Sequence, residues 1–275
     1  MTLSPAQVAD LLARHGIRPS RALGQNFVAD PNTVRRIARL AEVGPGDRVV
    51  EIGPGLGSLT LALAETGAEV TAVEADRHLL AALAEVLAGT ERVTVVHADA
   101  MRLDWSSLLG GDDGWAMVAN LPYNIATPLV ADLLDRVPLI ERMLVMVQRE
   151  VAERLVAGPG DAAYGAVSVK VSYWARAQMV GRVPASVFQP RPNVESALVA
   201  IRRRPIPAVD PTRVPPDRLF ALVRAGFATR RKMLRRSLAG VIGPEAFAAA
   251  GVSPEDRAEQ LDVAAWGRLA EAGLR

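Results

Sequence analysis

The chain has 275 residues, 50% of them hydrophobic, which is enough to bury one large core and a small second domain. It has no cysteine, so disulfides, a thiolate nucleophile and cysteine-ligated zinc are excluded, and its three scattered histidines indicate no metal site. The net charge of +2 is too small to mark a nucleic-acid binder by itself, and no apolar run approaches the ~20 residues that span a bilayer.

Two helices are predicted before the first core strand. Residues 1–16 form a polar, helix-like opening without a signal-peptide core, so we expect a cytoplasmic protein with no membrane partner. Asp30 and Pro31 predict a helix start, because the carboxylate caps free N–H groups and proline suits the first turn, and this helix runs to about Glu42. Residues 1–30 are treated as a helical extension of the domain that follows.

A glycine-rich turn follows the first core strand. Residues 48–52 (RVVEI) lead into Gly53-Pro54-Gly55-Leu56-Gly57-Ser58 and then into an apolar helical stretch at 59–63. The G-x-G-x-G spacing differs from the G-x-G-x-x-G of dinucleotide sites, which disfavours NAD or FAD, and no P-loop sequence occurs. By itself the turn does not identify its ligand.

Acidic residues follow the next two predicted strands. Strand 69–73 (EVTAV) ends at Glu74, about 20 residues after Gly53, where a carboxylate can bind ribose hydroxyls. Strand 93–97 (VTVVH) is followed by Asp99, which could accept a hydrogen bond from an adenine amino group or simply cap a turn. Because open parallel sheets bind ligands at the carboxyl ends of their strands, this series predicts an adenosine-containing cofactor.

The tetrapeptide Asn120-Leu121-Pro122-Tyr123 suits methylation of an adenine amino group. That nitrogen is a poor nucleophile because its lone pair is delocalised into the ring. The Asn120 side-chain oxygen and the Leu121 carbonyl can each accept one of its N–H groups, and Pro122 stiffens the turn. Tyr123 offers a face on which an unpaired base can stack. Taken alone, the same four residues also suit an ordinary turn.

The rest of the chain predicts further alternation and then a helical end. Pro128 opens a helix toward Leu134, residues 143–147 form a strand and residues 149–156 a helix, as a parallel doubly wound sheet requires. Runs 166–171 and 197–201 predict strands flanking Phe188 in an antiparallel hairpin. A proline-rich linker places a domain boundary near residue 208, giving domains 1–207 and 208–275. Helices are predicted in the second domain at 219–227, 232–241, 244–250 and 263–272.

Basic residues cluster in the C-terminal part of the chain. Such runs are commonly a solvated helix face, but in an RNA-binding protein they become candidate phosphate contacts. The candidates are Arg230, Arg231, Lys232, Arg235 and Arg236.

As an ordered set, these motifs resemble the ribosomal RNA adenine dimethyltransferase family, most closely its bacterial small-subunit members. The resemblance covers nearly the whole chain. It rests on Glu74, on Asp99 and on the segments LGQNFV (23–28), VEIGPGLG (50–57), NLPY (120–123) and VFQPRPNV (187–194). Val28 stands where the family more often has leucine, and Asn193 where lysine is frequent.

The resemblance implies a class I S-adenosylmethionine-dependent methyltransferase. Its fold would be α/β and Rossmann-like, a mostly parallel sheet of seven strands with a small C-terminal α-helical domain. The implied cofactor is S-adenosylmethionine, leaving S-adenosylhomocysteine as product, with no metal. The candidate cofactor-binding residues are Asn26, Val28, Glu51, Gly53, Gly55, Glu74, Asp99, Ala100 and Asn120. The candidate catalytic residues are Asn120, Leu121, Pro122, Tyr123 and Phe188, with Phe188 stacking on the base opposite Tyr123.

The implied reaction is dimethylation of two adjacent adenosines in the 3′-terminal hairpin loop of 16S rRNA. Its substrate would be an immature small ribosomal subunit, and the enzyme would act as a monomer. Three alternatives share parts of this pattern: a DNA adenine methyltransferase, a large-subunit rRNA methyltransferase of the antibiotic-resistance type, and a non-catalytic RNA-binding assembly factor. Leu121 in place of a first proline, and the lack of an obvious DNA-recognition domain, disfavour the first.

Overall fold

A computed structural model describes residues 2–20, 24–111 and 114–273. The chain divides into two compact units, one formed by residues up to 152 with 178–202, and the other by 153–177 with residues from 203 onward. This division differs from a single boundary near residue 208, because segment 153–177 belongs with the C-terminal helices. Leu23 of the LGQNFV segment lies outside the described residues.

The strands of the described residues form one large sheet and one small one. The large sheet has the order β4-β3-β2-β5-β6-β9-β7, and the small sheet pairs β1 with β8. Neighbours from β4 to β6 run parallel, and β6 and β9 run antiparallel. The strands are β1 (Phe27–Val28), β2 (Arg48–Ile52), β3 (Glu69–Glu74), β4 (Val93–His97), β5 (Trp115–Asn120), β6 (Ile140–Gln148), β7 (Ala175–Val183), β8 (Phe188–Gln189) and β9 (Ser196–Arg203).

Helices separate most of these strands and make up most of the C-terminal unit. They are α1 (Pro5–Arg14), α2 (Pro31–Leu40), α3 (Ser58–Ala64), α4 (Leu80–Val86), α5 (Trp105–Leu108), α6 (Ala126–Arg136), α7 (Arg149–Val156), α8 (Ala166–Trp174), α9 (Pro216–Ala228), α10 (Leu234–Ser237), α11 (Pro244–Ala250) and α12 (Val263–Ala272). Short 3₁₀ turns occur at Ala185–Val187 and Ala258–Gln260. Within the described ranges, no helix has the length and apolar character needed to cross a membrane.

Local sequence accounts for the helix starts of the first unit. Ser4 caps α1 by a reciprocal pair of hydrogen bonds with Gln7, and the Asp30 carboxylate accepts from the Thr33 N–H at the start of α2. The predicted cap at Asp30 is therefore confirmed. These helices bury apolar faces, including Val34 and Ile37 of α2, in the cores that support the sheet.

The second unit has its own core around Trp266, which is fully buried. The Tyr164 hydroxyl donates to the Leu261 carbonyl at 2.9 Å, and the Tyr164 ring meets Phe227 edge to face. Gly226 lies so close to Trp266 that a Cβ there would sit 2.4 Å from the indole ring. Helices α8 to α12 thus pack by side chains that are distant in sequence.

Two predicted elements are wrong. Residues 166–171 form the start of helix α8, not a strand. Valines alternate at 167, 169 and 171 and suggest a strand, but the helix is favoured because Val169 and Tyr173 bury one face and the Ser168 hydroxyl accepts from the Gly165 N–H. The predicted helix at 232–241 shortens to α10, because Met233 is extended and forms a bridge with Arg257.

Candidate functional site

A pocket of about 300 Å³ lies at the carboxyl ends of β2, β3, β4 and β5. This is where an open parallel sheet places its ligand. The loop before β1 supplies part of the lining, and the glycine-rich turn supplies another part. Of the predicted residues, the lining includes Asn26, Val28, Glu51, Gly53, Gly55, Glu74, Asp99, Ala100, Asn120 and Pro122.

The glycine-rich turn needs glycine for conformation and for space. Gly55 has φ +60°, and a Cβ on it would lie 2.8 Å from Cδ1 of Phe27. At Gly53 the backbone conformation alone, φ +70°, requires glycine, because a Cβ would lie 3.5 Å from the Pro122 ring, an ordinary contact distance. The turn can therefore lie closely between the loop before β1 and the segment after β5, leaving its backbone at the pocket.

Two buried carboxyl groups occupy the floor of the pocket. Glu74 accepts from the Gly55 N–H at 3.1 Å and from the Asp76 N–H at 2.9 Å. Burial raises the pKa of Glu74, and these backbone donors act against the rise. Glu51 is 1% exposed, and burial raises its pKa to about 8, aided by the nearby Glu74 charge and opposed by the Thr60 hydroxyl. The Glu51 Oε2 atom has no hydrogen-bond partner among the described residues.

Asp99 lies at the rim of the pocket, just after β4. Its Oδ1 accepts from the Met101 N–H at 2.9 Å, and its Oδ2 lies 3.7 Å from Nε of Arg102. The side chain is 49% exposed, so a carboxylate oxygen remains available to a ligand. Ala100 is buried beside it and also lines the pocket.

Asn120 ends β5 at the mouth of the pocket, and its side chain is held by the loop before β1. The Asn120 Nδ2 donates to the Asn26 carbonyl at 3.0 Å, which assigns the amide orientation and turns Oδ1 away from that bond. The Leu121 N–H donates to the Met146 carbonyl at 3.0 Å, which fixes the peptide between Asn120 and Leu121. The surrounding backbone thus holds the Asn120 side chain and the peptide that precedes the Leu121 carbonyl.

The aromatic candidates lie in different surroundings. The Tyr123 hydroxyl is 2.9 Å from Oγ of Ser196, a fully buried residue at the start of β9, and burial raises the Tyr123 pKa. Phe188 pairs with Val28 across the small sheet and is 5% exposed in the core cluster that contains Val34. Neither ring lines the pocket, so a base held between them stays a prediction.

Several residues of the site were not found by sequence reasoning. Gln25 joins two segments, because its Oε1 accepts from the Ser20 N–H and its Nε2 donates to Asp76 Oδ2, both at 2.8 Å. Asp76 follows Glu74 by two positions, which is the only sequence signal for it. Ser196 carries no signal, because its partner Tyr123 is 73 positions away.

The five basic candidates divide into two groups. Arg230 donates to Glu259 and to the Ala162 carbonyl, each at 2.7 Å, and Arg235 lies 3.3 Å from Glu255. Arg231, Lys232 and Arg236 are exposed, and their side chains have no ion-pair partner within the part of the chain that the structure describes.

The pocket fits a cationic adenosine cofactor. Among the described residues, its lining contains four carboxylic acids (Glu51, Glu74, Asp76 and Asp99) and no lysine, arginine or histidine. No group of three metal-ligating side chains occurs in the described ranges. The seven-stranded sheet, the glycine turn and this acidic pocket define a class I S-adenosylmethionine-dependent methyltransferase.

Comparison with known proteins narrows the class to a family. The profile of the family described as "Ribosomal RNA adenine dimethylase" matches residues 17–272, and the chain belongs to this family. Curated relatives named "Ribosomal RNA small subunit methyltransferase A" from Thermobifida fusca and Streptomyces coelicolor are each 50% identical over 98% of this chain and 95% and 96% of their own lengths.

Solved structures with the same fold include two methyltransferases. The 23S rRNA methyltransferase ErmE is 28% identical, with a TM-score of 0.71 over 91% of this chain and 100% of its own. A dimethyladenosine transferase from Plasmodium falciparum has a TM-score of 0.71 over 87% of this chain and 94% of its own, at 24% identity, and is similar in fold.

Proposed function

We propose that this protein dimethylates two adjacent adenosines in the 3′-terminal hairpin loop of 16S rRNA, using S-adenosylmethionine during assembly of the small subunit. The observation that carries the chemistry is the Asn120 amide, held by the Asn26 carbonyl at the mouth of an acidic cofactor pocket. The small-subunit substrate is favoured over the large subunit because relatives named for the small subunit are 50% identical, whereas ErmE is 28% identical. We further propose that it acts in the cytoplasm and as a monomer.

The cofactor is assigned to the pocket at the strand ends. We infer that Glu74 binds its ribose hydroxyls, that Asp99 beside Ala100 accepts from its adenine amino group, and that the backbone of Gly53 and Gly55 lies against its methionine part. Asn26 and the backbone at Val28 close the pocket on the side of β1, and Glu51 lies at its floor. When bound, S-adenosylmethionine supplies a methyl group already activated by a positive sulfur, so no enzyme nucleophile is required.

The protein presents the adenine amine to that methyl group. The Asn120 Oδ1 and the Leu121 carbonyl each accept an N–H of the amine, which draws the nitrogen toward a tetrahedral geometry. Pro122 keeps the turn stiff against Gly53, and Tyr123 stacks on the base, an interaction worth about 1–3 kcal/mol. Phe188 is the proposed second face, and it would have to turn out of its core cluster to reach the base. The singly methylated amine keeps one N–H, so the same site serves the second transfer.

The second unit offers phosphate contacts. Arg231, Lys232 and Arg236 are exposed without partners in the described part of the chain, and we propose that they contact rRNA phosphates directly. Arg230 and Arg235 already bind Glu259 and Glu255, so for them contact with RNA would compete with bonds inside the unit.

The proposal is tested by transfer of labelled methyl groups from S-adenosylmethionine to undermethylated small subunits, large subunits, free rRNA and DNA, followed by mapping of the product nucleotide. We expect N6,N6-dimethyladenosine at two adjacent positions of 16S rRNA in small subunits alone. Label on the large subunit would assign the protein to the resistance type. No label on any substrate would favour a non-catalytic assembly factor.

A further inference from the structure

The charge balance of the cofactor pocket is one-sided. Its four carboxylic acids come from the ends of three neighbouring strands, and no cationic side chain of residues 2–20, 24–111 or 114–273 lines it. Glu74, Asp76 and Asp99 each accept hydrogen bonds from nearby backbone or side-chain donors. Glu51 differs from them, because its Oε2 has no partner among the described residues although the side chain is 1% exposed.

Burial of a carboxyl group with one unpaired oxygen favours its neutral form unless a cation faces it. Burial and the neighbouring Glu74 raise the pKa of Glu51 to about 8, while the Thr60 hydroxyl of α3 opposes the rise. Besides Glu51 and Glu74, the charged groups of the described residues that line the same pocket are Asp76 and Asp99, and both are acidic. In the free protein at neutral pH, Glu51 therefore keeps its proton most of the time, and a cation in the pocket would displace that proton.

We propose that Glu51 makes the pocket select the cationic donor S-adenosylmethionine over the neutral product S-adenosylhomocysteine. The proposal rests on the proposed function. Binding of the donor drives the Glu51 proton into solvent, and the resulting carboxylate faces the positive charge. Methyl transfer turns the sulfonium into a neutral thioether and frees one proton from the methylated amine. Glu51 then takes up one proton from solvent, and the pocket binds the product less tightly than the donor.

Selection of this kind matters for a dimethylase, because each adenine receives two methyl groups. The used cofactor must leave and a new one must bind between the two transfers at the same base. A pocket that holds the neutral product less tightly than the donor allows exchange while the RNA stays bound. Glu51 is thus a specificity-determining residue of the cofactor site.

The test is isothermal titration of the protein with each ligand between about pH 6 and pH 8.5, in buffers of different ionisation enthalpy that report proton release. At neutral pH we expect the donor to release close to one proton and the product to release far less. The ratio of the two affinities should rise at least about tenfold from pH 6 to pH 8, because linkage ties affinity to the proton released. Both titrations use folded protein, so an effect of Glu51 protonation on folding stability does not enter this comparison.

The Glu51→Gln variant should lose the proton release and most of the pH dependence. Glu69→Gln, which removes an exposed carboxylate outside the pocket, should keep both. If Glu51→Gln does not fold, the proton count of the wild-type protein decides alone. Equal proton release by donor and product would overturn this inference and leave the proposed function intact, whereas failure of the donor to bind would overturn both.

Discussion

Replacement of Gly55 by alanine tests whether the glycine-rich turn requires both an unusual conformation and space. At φ +60° an alanine costs about 1–2 kcal/mol of backbone strain. Its Cβ would also lie 2.8 Å from the Phe27 ring, and overpacking of this kind costs about 1–3 kcal/mol more. Relief must move the turn or Phe27, both of which line the pocket. We therefore expect a loss of about 2–5 kcal/mol in unfolding free energy and at least about a tenfold weaker Kd for S-adenosylmethionine.

Gly16 provides the matched control in the same unit. It has φ +62°, and a Cβ there would meet nothing within 4 Å. Gly16→Ala should lose only the backbone term, about 1–2 kcal/mol, with the wild-type affinity for the cofactor. Urea unfolding measures the free energies and isothermal titration the affinities. Equal destabilisation of the two variants, with an unchanged affinity for Gly55→Ala, would refute the steric reasoning.

Three further predictions concern other contacts of the described chain. Ser196→Ala should raise the KM for RNA several-fold at nearly unchanged cofactor affinity, because it removes the hydroxyl contact that holds the Tyr123 ring. If Ser196→Ala raises the KM equally in a Tyr123→Phe background, the hydroxyl contact is not the cause. The pKa of Glu85 is lowered to about 2, first by the hydrogen bond from Arg14, so its stabilising effect is present above pH 4.5 and fades as the pH falls toward 2. Glu85→Gln should therefore lower the urea midpoint at pH 7 and leave it unchanged near pH 2; a difference that persists in acid would contradict this. Alanine substitution of Arg231, Lys232 and Arg236 should reduce RNA affinity and flatten its salt dependence without loss of thermal stability. Arg230→Ala should instead lower the Tm, because Arg230 donates to Glu259 and to the Ala162 carbonyl.

The fold of the first unit follows largely from local sequence. Strands 48–52 and 93–97 have the predicted bounds because β-branched runs end there in turn residues. The cap at Asp30 marks the start of a helix, and the alternation of strands and helices indicates a parallel sheet. The sheet of seven strands confirms the predicted fold class. The strand ends could also be expected to gather Gly53, Glu74 and Asn120 at one edge, since parallel strands end on the same side.

Long-range contacts account for what the sequence did not predict. Segment 153–177 belongs with the second unit, and the Tyr164 bond to Leu261, 97 positions away, is one of the contacts that hold it there. The valine pattern of 166–171 indicates a strand, and only the burial of Val169 and Tyr173 on one helical face reverses that expectation. In the site, the Asn26 carbonyl orients Asn120 from 94 positions away, and no local pattern encodes such a pair.

In the proposed mechanism, Asn120 orients the target amine and is not needed to retain the cofactor. The most direct measurement compares wild-type protein and Asn120→Ala on undermethylated small subunits, with mass spectrometry of the product nucleosides beside titration of S-adenosylmethionine. We expect the wild-type protein to form N6,N6-dimethyladenosine, and the variant to lose at least about a hundredfold in rate while its cofactor Kd changes little. Equal losses of cofactor affinity and of rate would contradict it, because Asn120 would then serve the cofactor and not the adenine.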